Sequence, residues 1–218
     1  PCQSSAASDV YKRQSEDNAW EQLGGDIDGE ANDDYSGNSI SLSSDGTIIA
    51  IGAKYNNSTV NNAGHVRIYQ NINGTWTKLG DDIDGEASGD YSGYSVSLSS
   101  DGTIVAIGAI RNDGNGSNAG HVRIYQYDSS KTVAVTNQNL SNFGPIGWNR
   151  LGSDIDGEAS DDNSGISVSL NSDGTRVAIG ATGSDSGHVR IYQYSNSTWT
   201  QLGVDIDGES SGDQSGRS

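Results

Sequence analysis

Short runs of alternating apolar and polar residues recur at matching places along the chain. The first run is 39–43, with Ile40 and Leu42 on one face; its later equivalents carry Val96 and Leu98, then Val168 and Leu170. Period-two alternation marks a strand with one buried face. An Asp-Gly pair follows each run, at Asp45-Gly46, Asp101-Gly102 and Asp173-Gly174, which predicts a tight hairpin turn. Next come 47–53, 103–109 and 175–181, almost continuous in apolar and small residues. Such runs predict strands buried on both faces. A third strand is predicted over 64–70, 120–126 and 187–193, where Val and Ile alternate with Arg and Tyr. A fourth, short and carrying a tryptophan, is predicted over 75–79, 147–151 and 198–202.

The four strands belong to one long repeat. Residues 76–125 occur again, with small changes, over 20–69 and 148–192, and a fourth copy opens at Trp199. Self-similarity at this period marks an array of supersecondary units, each unable to bury its apolar face alone. Four consecutive antiparallel strands per unit, repeated radially, predict an all-β fold, a β-propeller arc of four-stranded antiparallel blades. A β-solenoid is the alternative, but its repeats are shorter and pair in parallel. The expected blades are 38–79, 94–151 with an insertion at 127–147, and 166–202. Residues 20–37 would supply the outer strand and crossing of a preceding blade, and 203–218 the start of a next one. Propellers close with about 4–8 blades, so three complete blades make an incomplete propeller and the natural protein is expected to be longer. Residues 1–14 resemble a translated sequencing-library adapter, and 1–19 are expected to be disordered and outside the fold.

Composition changes this picture in one respect. Leu, Ile, Val and Phe number 39 of the 218 residues, and the net charge is −17, a balance that usually signals disorder. The fixed placement of the apolar residues overrides that reading. The charge excludes polyanions, both nucleic acid and anionic membrane surfaces, as expected partners. No apolar run is long enough for a spanning helix, so membrane insertion is not expected. One cysteine, Cys2, leaves no intrachain disulfide.

The stretch SGYSVSLSSDGTIVAIGA followed by AGHVRIY resembles the FG-GAP blade of integrin-α-type propellers. The matching residues are Gly93, Ser95, Val96, Gly108, Ala109, Gly120, Val122 and Tyr125, with counterparts in the other two copies. Kelch-type propellers are a weaker relative. The sequence departs from the FG-GAP pattern in two places. Ser36, Ser92 and Ser164 replace the aromatic residue before the first glycine. The turn between the first two strands is only Ser-Asp-Gly, where the family carries a calcium loop of spaced aspartates. The resemblance therefore transfers no metal site to that turn. It implies a non-catalytic extracellular module.

Candidate chemistry lies in the acid motif, expected on the crossings between blades and sharing a face with the loops between strands two and three. The motif is Asp26, Asp28, Glu30 and Asp34; then Asp82, Asp84, Glu86 and Asp90; then Asp154, Asp156, Glu158 and Asp162; and finally Asp205, Asp207, Glu209 and Asp213. Asp113 and Asp185 add to that face. Hard divalent cations want several oxygens at close spacing, and acids at i, i+2, i+4 and i+8 resemble the opening of a calcium loop. The glycine falls two positions early, however, and the bidentate Glu is missing. The alternative is a turn whose Ile packs between blades and whose carboxylates accept backbone N–H bonds. Ca2+ is thus a candidate ligand of the first twelve acids, with no cofactor required.

His65, His121 and His188 stand one per blade at the same site, too far apart to converge on one metal, and are expected to be structural or surface residues. Arg67, Arg123 and Arg190 alternate with them and are expected to pair with carboxylates. Trp20, Trp76, Trp148 and Trp199 are expected to pack in the core or between blades, with stacking on sugars as the alternative. Asn57, Asn73, Asn115, Asn139 and Asn196 open Asn-x-Ser/Thr sequons in predicted loops.

No nucleophile–base pair or phosphate loop stands out. Each candidate polar group recurs in every blade, as scaffold residues do. The expectation is a non-catalytic extracellular or cell-surface binding or adhesion propeller, taking a protein or glycan ligand and seated beside further blades. The alternatives are a calcium-dependent carbohydrate-binding propeller and a fragment of a propeller enzyme with its active residues in other blades.

Overall fold

The computed structural model describes residues 21–218, apart from 58, 184 and 185. The expectations for residues 1–19, Trp20 and Asp185 lie outside the described residues. The first blade is β1 (Ser36–Leu42), β2 (Ile48–Ala53), β3 (His65–Ile72) and β4 (Thr75–Lys78), followed by a two-residue strand β5 (Ile83–Asp84). The second is β6 (Ser92–Leu98), β7 (Ile104–Ala109), β8 (His121–Tyr127) and β9 (Trp148–Arg150), followed by β10 (Ile155–Asp156). The third is β11 (Ser167–Leu170), β12 (Arg176–Ala181), β13 (His188–Ser195) and β14 (Thr198–Gln201), followed by β15 (Ile206–Asp207). Each blade is an antiparallel meander in chain order, and no helix occurs among the described residues. The chain is an all-β arc of three propeller blades.

The expected Asp-Gly hairpin turn is present and is wider than the pair alone. Gly46, Gly102 and Gly174 take φ of 71°, 71° and 69°, but the loop holds four residues, with Ser43 N–H donating to Ile48 O. The aspartate works as a local cap. Asp45 accepts from the Ser43 hydroxyl at 2.7 Å and from the Thr47 backbone N–H at 2.9 Å. Asp101 repeats both contacts, and Asp173 repeats the one to its following threonine.

The acid motif also lies elsewhere than expected. Its Ile-Asp pair is not in the crossing. It pairs with the start of the third strand, Ile83 opposite Val66 and Asp84 opposite His65, while β4 pairs with the end of that strand. The outer strand is therefore one edge in two pieces, and the crossing begins only after it. Burial explains the second piece: Ile83 and Ile155 are 1% and 6% exposed, anchoring their segments to the blade.

The core lies between blades. One cluster joins Ile48, Ala50, Val66, Ile68 and Ile83 of the first blade to Val96, Leu98, Val105, Ile107, Tyr125 and Trp148 of the second. The next repeats it between the second and third blades, with Ile104, Val122, Ile124 and Ile155 facing Val177 and Ile179. Two glycines set the approach of neighbouring inner strands. A β-bulge in β6 brings the Gly93 carbonyl over Gly52, where a Cβ would lie 2.2 Å from it. The Ser39 hydroxyl donates to that same carbonyl at 2.8 Å. Ser95 to Gly165 and Ser167 to Gly216 repeat the bond at 2.6 and 2.7 Å.

Candidate functional site

The acids of one motif are not gathered at one point. Asp34, Asp90 and Asp162 are buried, and the last two serve the backbone. Asp90 accepts from Ala87 N–H at 3.0 Å and from the Asn112 amide at 3.1 Å; Asp162 accepts from Glu158 and Ala159 N–H at 3.0 and 2.9 Å. Asp34 accepts from the Asn56 amide at 2.8 Å. Asp26 is exposed and bonded by Gln22. Asp28 and Asp84 offer their backbone carbonyls to Arg67 and Arg123, each at 2.7 Å.

The remaining acids combine across motifs. Glu30 of one motif meets Asp82 of the next beside His65, and Glu86 meets Asp154 beside His121, with the possible ligand atoms of each trio within 4.8 Å of one another. In these two trios the third strand supplies the histidine, the preceding crossing the glutamate, and the bend in the outer strand the aspartate. Local spacing carries no trace of them, because their acids are 52 and 68 positions apart in sequence. A third trio, His188 with Asp205 and Asp207, takes both acids from one motif.

Cations already stand in the first two groups. Arg67 Nη1 is 3.7 Å from Glu30, and Lys78 Nζ is 2.6 Å from Asp82. Arg123 is 3.3 Å from Glu86, and Arg150 is 2.9 Å from Asp154. Two carboxylates facing two cations leave little field to attract a dication. The third group differs. Arg190 bonds Asp205 twice at 3.0 Å and also contacts Glu158, but Gln201 occupies the position of Lys78 and Arg150. This group keeps a surplus of carboxylate beside a cleft lined by Glu158, Asp162, His188, Asp205 and Asp207.

Burial holds the His65 imidazole below its usual pKa, and burial with Arg123 and Arg150 nearby lowers His121 to about 3. Both are neutral at physiological pH. Burial pushes the Glu86 carboxyl up, against the pull of Arg123. Burial, then the neighbouring Asp154, raises Asp156. The hydrogen bond from Arg190 holds Asp205 down.

The tryptophans join blades. Trp76, Trp148 and Trp199 donate their indole N–H to Leu23, Leu79 and Leu151 carbonyls at 2.8, 3.0 and 2.8 Å. Trp148 is fully buried. Packing between blades therefore accounts for them, and the aromatic surface lies elsewhere. Tyr35 and Tyr91 each stand one residue before an inner strand, at φ of 56° and 59°. Tyr55, in the loop after β2, touches both edge-to-face, with centroids 5.0 and 4.9 Å apart. Lys54 lies over Tyr35, Tyr55 and Tyr94, and Arg111 over Tyr91. The third blade has Asn163 and Gly183 where the second has Tyr91 and Arg111 and the first has Tyr35 and Tyr55, so this ridge breaks the repeat. The sequence signal was a departure from the repeat: tyrosine present in loops of some copies and absent from others.

A second departure is the 127–147 insertion. Val135, Phe143 and Pro145 lie beside Tyr125 and Arg123 and line, with Asp82, Ile83 and Asp84, an open cleft of about 290 Å³.

Residues 83–125 match the family model for the FG-GAP repeat. No curated protein matches the chain. Among solved structures, the chain is similar to a candidate 6-phosphogluconolactonase from Bacteroides fragilis, at 16% identity and a TM-score of 0.45, covering 79% of this chain and 39% of that one. It is also similar to hydrazine synthase from Kuenenia stuttgartiensis, at 10% identity and a TM-score of 0.48, covering 86% and 41%. A candidate 6-phosphogluconolactonase from Bacteroides uniformis gives 13% and 0.43, covering 78% and 40%. The chain thus spans about two fifths of the length of each.

Proposed function

We propose that this β-propeller module with its FG-GAP repeat is a non-catalytic binding or adhesion module of the cell exterior, taking a protein or glycan ligand on its loop face. One observation carries the reading: the ridge of Tyr35, Tyr55, Tyr91 and Tyr94 with Lys54 and Arg111 sits among those loops, with Tyr35 57% exposed. Tyrosine offers a large rigid face with a polar tip, and arginine adds directional donors, the side chains that protein and sugar ligands select. The other candidate groups recur blade by blade in ion pairs, which suits a scaffold. The sequon asparagines Asn57, Asn73, Asn115, Asn139 and Asn196 are exposed, whereas Asn56, which opens a sixth sequon, is buried, so five positions are in keeping with an extracellular setting. A glycan array probed with the chain and with a Tyr35→Ala/Tyr91→Ala variant tests the ligand site. Loss of the bound set in the variant is expected; binding that survives it removes the ridge from the site.

The second reading, calcium-dependent carbohydrate binding, is favoured by the third carboxylate group, where Gln201 replaces a cation. Melting the chain with calcium and with chelator separates the two readings. A calcium-induced rise in Tm that Asp207→Asn abolishes would support the second; an unchanged Tm at millimolar calcium removes it.

A further inference from the structure

Resting on the reading of the tyrosine ridge as a ligand site, we propose that the ridge takes a sugar bearing a single carboxylate, a terminal uronate or sialate of a glycan, and that Lys54 and Arg111 meet its charge. Both cations stand at the junction of the first two blades. Lys54 is half-buried, with its ammonium 4.8 Å from the Tyr94 ring centroid and 5.2 Å from that of Tyr55. Arg111 is exposed, with its guanidinium 4.8 Å from the Tyr91 centroid. It donates to the Tyr91 hydroxyl at 3.3 Å. Tyr55 and Tyr91 touch between them. Neither cation makes an ion pair among the described residues, whereas Arg67, Lys78, Arg123, Arg150 and Arg190 are each held by a carboxylate. A ring face orients a cation and strips part of its water, but leaves its charge uncompensated. Asp34 and Asp90, next to Tyr35 and Tyr91 in sequence, are buried and bonded by the Asn56 and Asn112 amides.

The backbone carries Tyr91 at a cost. Its φ of 59° lies in the left-handed region that a bulky residue avoids. Asn163 stands at the same position of the third blade, at φ of 54°, and is a residue suited to it. The turn therefore forms without a tyrosine, and the ring answers to a need outside the fold. Charge selects the ligand. A polyanion brings more charge than two cations compensate and meets the repulsion of a chain at −17. A neutral sugar leaves both cations without an anion. A single carboxylate takes a charge-assisted bond from Lys54 or Arg111, while the sugar face lies on tyrosine. The cleft of about 290 Å³ that would seat a peptide side chain is lined by other residues.

A glycan array probed with the parent chain tests this. Glycans ending in glucuronate or sialate stand beside the same glycans with that carboxyl reduced to an alcohol, beside heparin fragments and beside glutamate-rich peptides. The acidic glycans are expected to bind about tenfold more tightly than their reduced forms, the worth of a hydrogen bond to a charged group. The Lys54→Gln/Arg111→Gln variant should lose that preference. Lys78→Gln, which removes an equal charge from β4, should keep it. Tyr91→Asn, which gives the turn the third blade's residue, should stay folded by circular dichroism and lose binding. Equal binding of acidic and reduced glycans, lost with Tyr91→Asn, would overturn the charge assignment and leave the ridge as the ligand site. Binding of heparin or the peptides in place of acidic glycans would overturn it in favour of another partner. An acidic preference that survives both variants, or no binding at all, would overturn it together with the reading of the ridge.

Discussion

At the scale of single residues, burial has converted polar side chains into sensors of pH. His121 is neutral in the fold, with a pKa of about 3 against an ordinary 6.5, and burial lowers His65 in the same direction. A depressed histidine takes up its proton only on unfolding. Its contribution is fully present above its ordinary pKa and is lost as pH falls toward the folded value. Each such histidine changes stability by at most about 1.4 kcal/mol per pH unit. Asp45, Asp101 and Asp173 are held low by their turn hydrogen bonds and lose stability only on further acidification, through 3.8 and below. The raised Glu86 acts oppositely, losing stability as pH rises through its folded pKa. Urea unfolding between about pH 7 and about pH 5 should therefore show falling stability that His121→Gln flattens; an unchanged slope would show that His121 is not the titrating group. Asp90→Ala should cost about 1–3 kcal/mol, since it strands the Asn112 amide and the Ala87 N–H. If the acid matters only as a cation ligand, the loss would vanish in chelator.

Among the strands, the sequence was most legible where one rule acted alone. Alternation located β1, β6 and β11, and continuous apolar runs located β2, β7 and β12. The split outer strand was not legible, because Ile83 is a single apolar residue flanked by acids and reads locally as a turn. Nor was the trio of Glu30, His65 and Asp82, whose members meet only through the stacking of blades. The identical letters at Asp34 and Asp82 conceal opposite fates, one buried against the Asn56 amide and the other meeting Lys78. The Tyr35–Tyr55–Tyr91 ridge repeats only in part: Tyr35 and Tyr91 are equivalent, but Arg111 stands where Tyr55 would recur. The blade junction itself yields a sharp prediction. A Cβ at Gly108 would lie 2.1 Å from the Gly165 carbonyl, a backbone atom unable to swing aside. Gly108→Ala should therefore cost about 1–3 kcal/mol or more by forcing the second and third blades apart, read as a lower urea midpoint. A midpoint within error of the parent would mean that the inner strands approach less closely than the Ser95–Gly165 bond requires.

For the molecule as a whole, each blade contacts only its neighbours, so stability should add blade by blade and junction by junction. Only the second blade has both faces covered within the chain. Its β7 is buried at all six positions, while β13 of the third blade is mostly half-buried and β1 of the first mostly exposed. Local opening costs least where fewest apolar contacts are lost. Amide hydrogen exchange should therefore be slowest in β7 and β8 and faster in β1 and β13. Equal protection of all three blades in a chain shown to be monomeric would contradict the premise that junctions, rather than isolated sheets, hold this fold together.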